Sequence, residues 1–227
     1  YPIGKSELIF PKLLKGAGYT NGMVGKWGLG PPNSTSIPTE MGFSYFYGYN
    51  CQRMAHNLYP PHLWENDKRD FLDNKVVSPR LKLQEGQDPY DESNYKVFNQ
   101  NDYAPDKMHV KAQEFIENNY DNPFFLYYAS PIPHAPLQAP QYLVDKYRNI
   151  IGEEDPYLGD KGYFPTRYPR ATYAAMIEYI DIQVGEIVDQ LKRLNIYDNT
   201  IILITSDNGP TYACLLYTSP SPRDLYQ

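Results

Sequence analysis

The chain has 227 residues, 41% of them hydrophobic, which suits one domain with a sizeable core and excludes a disordered segment. A formal charge of −6 at pH 7 argues against the basic face on which general nucleic-acid binding depends, and no apolar run is long enough to span a bilayer. The same acidity gives no long-range pull on an anionic substrate, so capture of one falls to local cations such as Lys26 and Arg53.

In chain order, Leu8, Ile9, Leu13 and Leu14 predict a helix over about 6–15 that stops near Gly16 and Gly18. A strand through Met23 and Val24 follows and empties into Gly25-Lys26-Trp27-Gly28-Leu29-Gly30. The 23 Tyr and 21 Pro concentrate outside the regular elements, notably in 43–61 and 155–169, which read as long structured loops of the kind that carry substrate selectivity on a rigid scaffold. Within the first, Pro60-Pro61-His62-Leu63-Trp64 reads as loop architecture, while Arg53 and His56 are candidates for the rim of an anion site. Residues 84–101 turn polar without period and read as a surface loop.

A helix begins at an Asp106 cap and runs through Met108, Val110, Phe115 and Ile116 to Asn118, with His109 inside it in a structural or solvated role. Phe124-Phe125-Leu126-Tyr127-Tyr128-Ala129 is a short continuous apolar run, as for a strand buried on both faces, and it leads into Pro131-Ile132-Pro133-His134-Ala135-Pro136. The longest helix spans about 170–194, with Ala174, Ile177, Ile180, Val184, Ile187, Val188, Leu191 and Leu194 at helical spacing. Residues 200–204, Thr-Ile-Ile-Leu-Ile, read as a central strand that empties into Thr205-Ser206-Asp207-Asn208-Gly209-Pro210. Strands alternating with helices predict an α/β fold, a mostly parallel central sheet with helices on both faces. Asp207 and Asn208 at a strand's carboxyl end offer the hard oxygens that a cation such as Ca²⁺ requires, although the same residue types dominate turns for conformational reasons alone.

Three polar segments thus leave three strand ends. With Gly16-Ala17-Gly18-Tyr19, Tyr59-Pro60-Pro61-His62-Leu63-Trp64, Pro123-Phe124-Phe125-Leu126-Tyr127 and the helix after Tyr168-Pro169-Arg170, they resemble, in order from about Leu8 to Pro210, the type I sulfatases of the alkaline phosphatase superfamily. The resemblance implies hydrolysis of a sulfate ester, on a small molecule or a carbohydrate, by a formylglycine nucleophile beside a Ca²⁺. It makes Lys26 a sulfate contact, a point charge fixed between Gly25 and Trp27, and places His134 near the bridging oxygen to protonate or stabilise the departing alcohol. It makes Asp207 and Asn208 two of the metal ligands. Many sulfatases carry His two residues after the sulfate-contacting lysine; here that position is Gly28, so the role of that imidazole is absent or relocated. A phosphatase or phosphodiesterase of the same superfamily, and a noncatalytic carbohydrate-binding relative, are the rival readings.

The chain starts at Tyr1 without Met, signal segment or the Cys/Ser-x-Pro-x-Arg motif that yields formylglycine, and it is expected to be part of a longer catalytic domain, 1–213. Residues 214–227, Cys214 onward, resemble the translation of a sequencing adapter and are set apart from the fold, with a flexible Ser/Pro-rich tail as the competing reading. That leaves Cys51 as a single cysteine, expected to be a small buried hydrophobe. A periplasmic or secreted location follows from the resemblance alone. Expressed as these 227 residues, the chain should show no turnover of an aryl sulfate; measurable hydrolysis without formylglycine contradicts that expectation.

Overall fold

The computed structural model describes residues 2–4 and 6–209. The sequence readings at Pro210 and at 214–227 lie outside the described residues. The chain divides into two compact units, Tyr1–Pro79 with Lys96–Pro136, and Arg80–Tyr95 with Leu137–Gln227.

The first unit is built on a five-stranded mixed sheet. Its strands are β1 (Thr20–Lys26), β2 (Tyr45–Tyr49), β3 (His62–Glu65), β4 (Lys68–Phe71) and β5 (Phe124–Ala129), in the order β4-β3-β2-β1-β5. β1 runs parallel to both β2 and β5, and β3 and β4 extend the sheet antiparallel beyond β2. Alternation along β1 separates two cores. Val24 joins Tyr47, Tyr49 and Leu63 under Ala104, Met108 and Ala112 of helix α2 (Ala104–Glu117). Met23 joins Trp27, Met41, Phe43 and Phe46, with Ile9, which precedes helix α1 (Phe10–Gly16), packed against them.

Glycines set how closely these layers approach. A Cβ on Gly22 would stand 2.7 Å from the ring of Phe115, so its absence lets α2 lie on the strand. At the carboxyl end, Gly25 is in register with both Gly48 and Ala129. A Cβ on Gly25 (φ +117) would fall 2.0 Å from the Ala129 carbonyl oxygen, and one on Gly48 (φ +148) would fall 2.0 Å from that of Gly25. Three parallel backbones therefore close up where Lys26 leaves the sheet.

The structure corrects several sequence expectations in this unit. α1 begins at Phe10 rather than near Ser6, because Pro11 holds the residues before it out of helical geometry, and Leu8 and Leu13 are exposed. α2 begins at Ala104, with Pro105 at its start, so Asp106 lies in the first turn instead of capping it. β5 pairs with β1 alone among the described residues; Leu126 and Tyr128 pack on one core and Phe125 and Ala129 on the other, yet the strand is half-buried rather than fully buried on both faces. The segment 43–61 contains β2, and His62, Leu63 and Trp64 belong to a hairpin whose turn holds Asn66 at φ 55 and ties that side chain to the Phe46 amide. Cys51 is exposed. His109 is buried and stacks on Tyr128, in the structural role expected of it.

The second unit carries helices α3 (Gln141–Ile151) and α4 (Pro169–Arg193). α4 has no cap from its own first residues; the buried Glu154 carboxylate accepts the Arg170 and Ala171 amides, placing an anion on the helix N-terminus. Arg167 lies over Tyr168 and Tyr90 and donates to the Glu154 carbonyl and the Glu153 carboxylate. α4 buries Ala171, Thr172, Ala175, Met176, Gln183, Gln190 and Leu191 rather than the expected apolar stripe, of which Leu191 alone is buried and Ile177 is exposed. The expected strand at 200–204 is not one: it makes no ladder among the described residues, and Ile201 is 97% exposed. A strand exists only by pairing its backbone with a neighbour, and an apolar run by itself does not supply one.

Replacing Gly25 or Gly48 by Ala should lower unfolding stability by at least about 3 kcal/mol, since both the steric and the φ penalties apply. Gly16→Ala, in a helix with open space around it, should be neutral or stabilising by up to about 1 kcal/mol. Urea denaturation of the three variants tests this; equal midpoints contradict the packing described.

Candidate active site

The carboxyl ends of β2, β1 and β5 lie side by side, where parallel sheets present their ligand-binding groups. Pairing continues past the strands: the Trp27 amide donates to the Tyr49 carbonyl and that of Gly28 to the Asn50 carbonyl. Trp27 is buried, its indole N–H donates to the Ser36 carbonyl at 2.8 Å, and its ring meets Phe43 edge-on. This anchors the residue after Lys26 and fixes where the lysine stem begins. Lys26 itself is half-buried, in register with Tyr49.

Tyr49 carries the frame outward. Its buried hydroxyl donates to the Asn57 carbonyl at 2.6 Å, while Asn57 Oδ1 accepts the Tyr59 amide and Asn57 Nδ2 donates to the Tyr59 carbonyl. These bonds pin the end of a 3-10 turn, Gln52–His56, which brings His56 within electrostatic reach of Lys26 and of Arg53 on its own turn. From β5, the Pro-rich segment brings His134, whose Nδ1 lies 2.6 Å from the Ala135 carbonyl; as the donor there, Nδ1–H leaves Nε2 as the nitrogen that takes or gives a proton. Both X-Pro bonds flanking this histidine, Ile132-Pro133 and Ala135-Pro136, are cis.

The rings of His56 and His134 stack at 5.4 Å between centroids, 4° from parallel. Burial first, then the positive charge of His134, Lys26 and Arg53, holds the His56 imidazole below its ordinary value of 6.5. The result is four basic groups converging on one end of the sheet of an acidic chain. Two further side chains lie at the same end: Asn50 Oδ1 and Ser130 Oγ, on the residues that directly follow β2 and β5, are buried with no hydrogen-bond partner among the described residues. A buried polar atom so placed costs about 1–3 kcal/mol until something bonds to it, which marks these strand ends as polar ground suited to a ligand.

Of the residues singled out from sequence, the structure thus gathers Lys26, Arg53 and His134 around His56. His62 lies instead in the hairpin among Trp64, Phe71 and Arg69, and burial with the Arg69 charge lowers its pKa. Asp207 and Asn208 belong to the second unit, where both are exposed in a bend after 200–204. Their oxygens suit Ca²⁺ in kind but not in number: the ion takes six to eight, and among the described residues no group of three or more His, Cys, Asp or Glu gathers to hold a metal. The sequence marks His56 only as a rim candidate and does not single out Asn50, because nothing in 50–56 announces which face of a short turn meets residue 134.

The Sulfatase family model matches residues 2–224. Among curated proteins, the chain is 31% identical to mouse Arylsulfatase J over 88% of its own length and 28% of that protein, and 31% identical to mouse N-acetylgalactosamine-6-sulfatase over 91% of its own length and 34% of that protein. It spans about a third of the length of such relatives. Among solved structures, that of Ps i-CgsB in complex with k-i-k-neocarrahexaose is 26% identical with a TM-score of 0.58, over 83% of this chain and 37% of that one. A Bacteroides thetaiotaomicron structure from work on glycosaminoglycan metabolism shares the fold at 22% identity and a TM-score of 0.60, over 92% of this chain and 46% of that one.

Since the folded state disfavours a protonated His56, its contribution to stability is intact above the unfolded pKa near 6.5 and is lost as pH falls through the lower folded value. Imidazole NMR should give His56 a midpoint below 6.5, and His56→Phe should reduce the loss of stability on the acid side. A midpoint at or above 6.5 contradicts the cluster.

Proposed function

The chain belongs to the sulfatase family, and on that premise we propose that it is the part of a sulfuric ester hydrolase that binds the sulfate group and assists the leaving alcohol. The observation that carries this reading is the convergence of Lys26 and His134 at the carboxyl ends of parallel strands, with His56 between them in charge and in stacking.

A sulfate ester is an anion whose cleavage leaves negative charge on an alkoxide or phenoxide oxygen, so catalysis depends on positive groups held in place before the reaction. Lys26 supplies an ammonium point charge to the sulfate oxygens, from a stem that the Trp27 anchor and the Gly25–Gly48 approach keep in one place. His134, with Nδ1–H held by the Ala135 carbonyl, presents Nε2 for proton donation to the departing oxygen. A formylglycine and a Ca²⁺, where the whole protein holds them as this family does, would supply the attack on sulfur and further charge neutralisation. Asp207 and Asn208 are proposed as two oxygen donors to that ion, in a shell that needs donors beyond this pair.

The substrate we propose is a sulfate ester of a carbohydrate. The relatives named N-acetylgalactosamine-6-sulfatase and the Ps i-CgsB complex with k-i-k-neocarrahexaose support a sugar over a simple aryl group, and half-buried and exposed aromatic residues of the first unit suit sugar faces. No described helix is long and apolar enough to cross a membrane. A periplasmic or secreted place for the whole protein is part of the same proposal, resting on family kinship. A phosphatase is the weaker reading, because family, relatives and solved structures alike are named for sulfatases.

The test is kinetic, in a protein that carries this segment together with the formylglycine motif. Lys26→Ala should lower kcat/KM on a sulfate ester by about 10²–10³-fold. His134→Ala should lower it by about 10²-fold, with a larger loss for alkyl than for activated aryl leaving groups. Unchanged kcat/KM in both variants, or a preference for phosphate over sulfate esters, contradicts the proposal.

A further inference from the structure

Gly28 stands where many sulfatases carry a histidine, and the structure shows what a side chain there would meet. Gly28 has φ +74, a left-handed conformation that a histidine adopts only with strain, and a Cβ there would lie 3.2 Å from Gln52 Cβ. The neighbour that presses on Gly28 is thus the first residue of the 3-10 turn Gln52–His56, which also receives the Gly28 amide on the Asn50 carbonyl just before it. The turn that begins at Gln52 ends in an imidazole of its own, His56. Its hold on the sheet is the bond from Tyr49 to the Asn57 carbonyl, and Tyr49 is the register partner of Lys26.

We propose that His56 is a sulfate-binding residue, the second imidazole of the anion pocket, delivered from the turn that packs against Gly28 and held in place by its parallel, offset stack on His134. This rests on reading the strand-end cluster as a sulfate pocket. The groups facing His56 are His134 from the Pro-rich segment after β5, Lys26 from β1 and Arg53 from its own turn, all basic. Without an anion these charges oppose protonation of His56. A bound sulfate offsets them, so His56 gains a proton as the anion enters and then donates from both ring nitrogens. Sulfate binding is thereby coupled to proton uptake, and it strengthens as pH falls toward the range in which the ring titrates.

The experiment is a titration of the histidine-labelled 227-residue chain with inorganic sulfate, followed by imidazole NMR and calorimetry at several pH values. The His56 and His134 signals should move along one saturation curve, and the His56 midpoint should rise in saturating sulfate. His56→Phe, which keeps a ring to stack on His134 but no donor, should weaken binding by about tenfold or more, as loss of a charge-assisted hydrogen bond requires. Lys26→Ala should also weaken it. If the His134 signals saturate and Lys26→Ala weakens binding while the His56 midpoint stays fixed and His56→Phe binds as the parent does, the proposal fails and the pocket stands. If neither imidazole responds saturably to sulfate, the pocket reading fails and this inference with it. The midpoint shift is read in the unmutated chain, so the test holds even if a variant does not fold.

Discussion

The close approach of three parallel backbones at Gly25, Gly48 and Ala129 is the constraint on which the first unit turns. A methyl group at either glycine would stand 2.0 Å from a carbonyl oxygen, and no side-chain adjustment relieves a clash with backbone. Because the strands meet there, β1 delivers Lys26, β2 delivers Tyr49 and Asn50, and β5 delivers Ser130 and the turn of His134 to one sheet end. Chemistry placed on strand ends inherits the rigidity of the sheet, which a loop by itself does not have.

Electrostatics gives that end its use. The chain is acidic overall, so nothing at long range draws in an anion. Four basic groups held close together in a partly desolvated place create a local demand for negative charge, and part of that demand is visible as the suppressed basicity of His56. Tyr45 and Tyr47 respond in the opposite sense nearby: burial and the carboxylates of Glu65 and Asp70 push both phenols well up, and their hydroxyls donate to those carboxylates. The sheet thus keeps its acidic partners tied to tyrosines on the hairpin side while the basic groups stand at the carboxyl ends.

Much of this was legible in the sequence. β1, β5, α2 and α4 appear within a few residues of their expected places, since each is a long or strongly apolar segment bounded by Gly, Pro or Asn. Lys26 and His134 belong to motifs that follow such strands, and the structure sets both at or just after the carboxyl ends of β1 and β5. What escaped has particular causes. The hairpin of β3 and β4 reads as polar and aromatic text, His-Leu-Trp-Glu and Lys-Arg-Asp-Phe, with one buried leucine between them, too weak an alternation to mark strands. The opposite error came at 200–204, where an apolar run of strand length finds no pairing among the described residues. The sequence places His56 no nearer than the rim of an anion site, because its partner His134 is distant in the chain and the Gly28 departure points to a missing imidazole without showing where a replacement sits. Burial of β5 was overstated for a related reason: apolar composition reports what a strand can pack against, not how many neighbours it has.

The most direct test of the strand-end pocket is diffraction at the selenium edge from crystals of this chain soaked in selenate, a heavy-atom counterpart of sulfate. The account predicts an anomalous peak within hydrogen-bonding distance of the Lys26 ammonium and of imidazole nitrogens of both His56 and His134. Selenate ordered elsewhere on the surface, with no peak at the carboxyl ends of β1, β2 and β5, would contradict it.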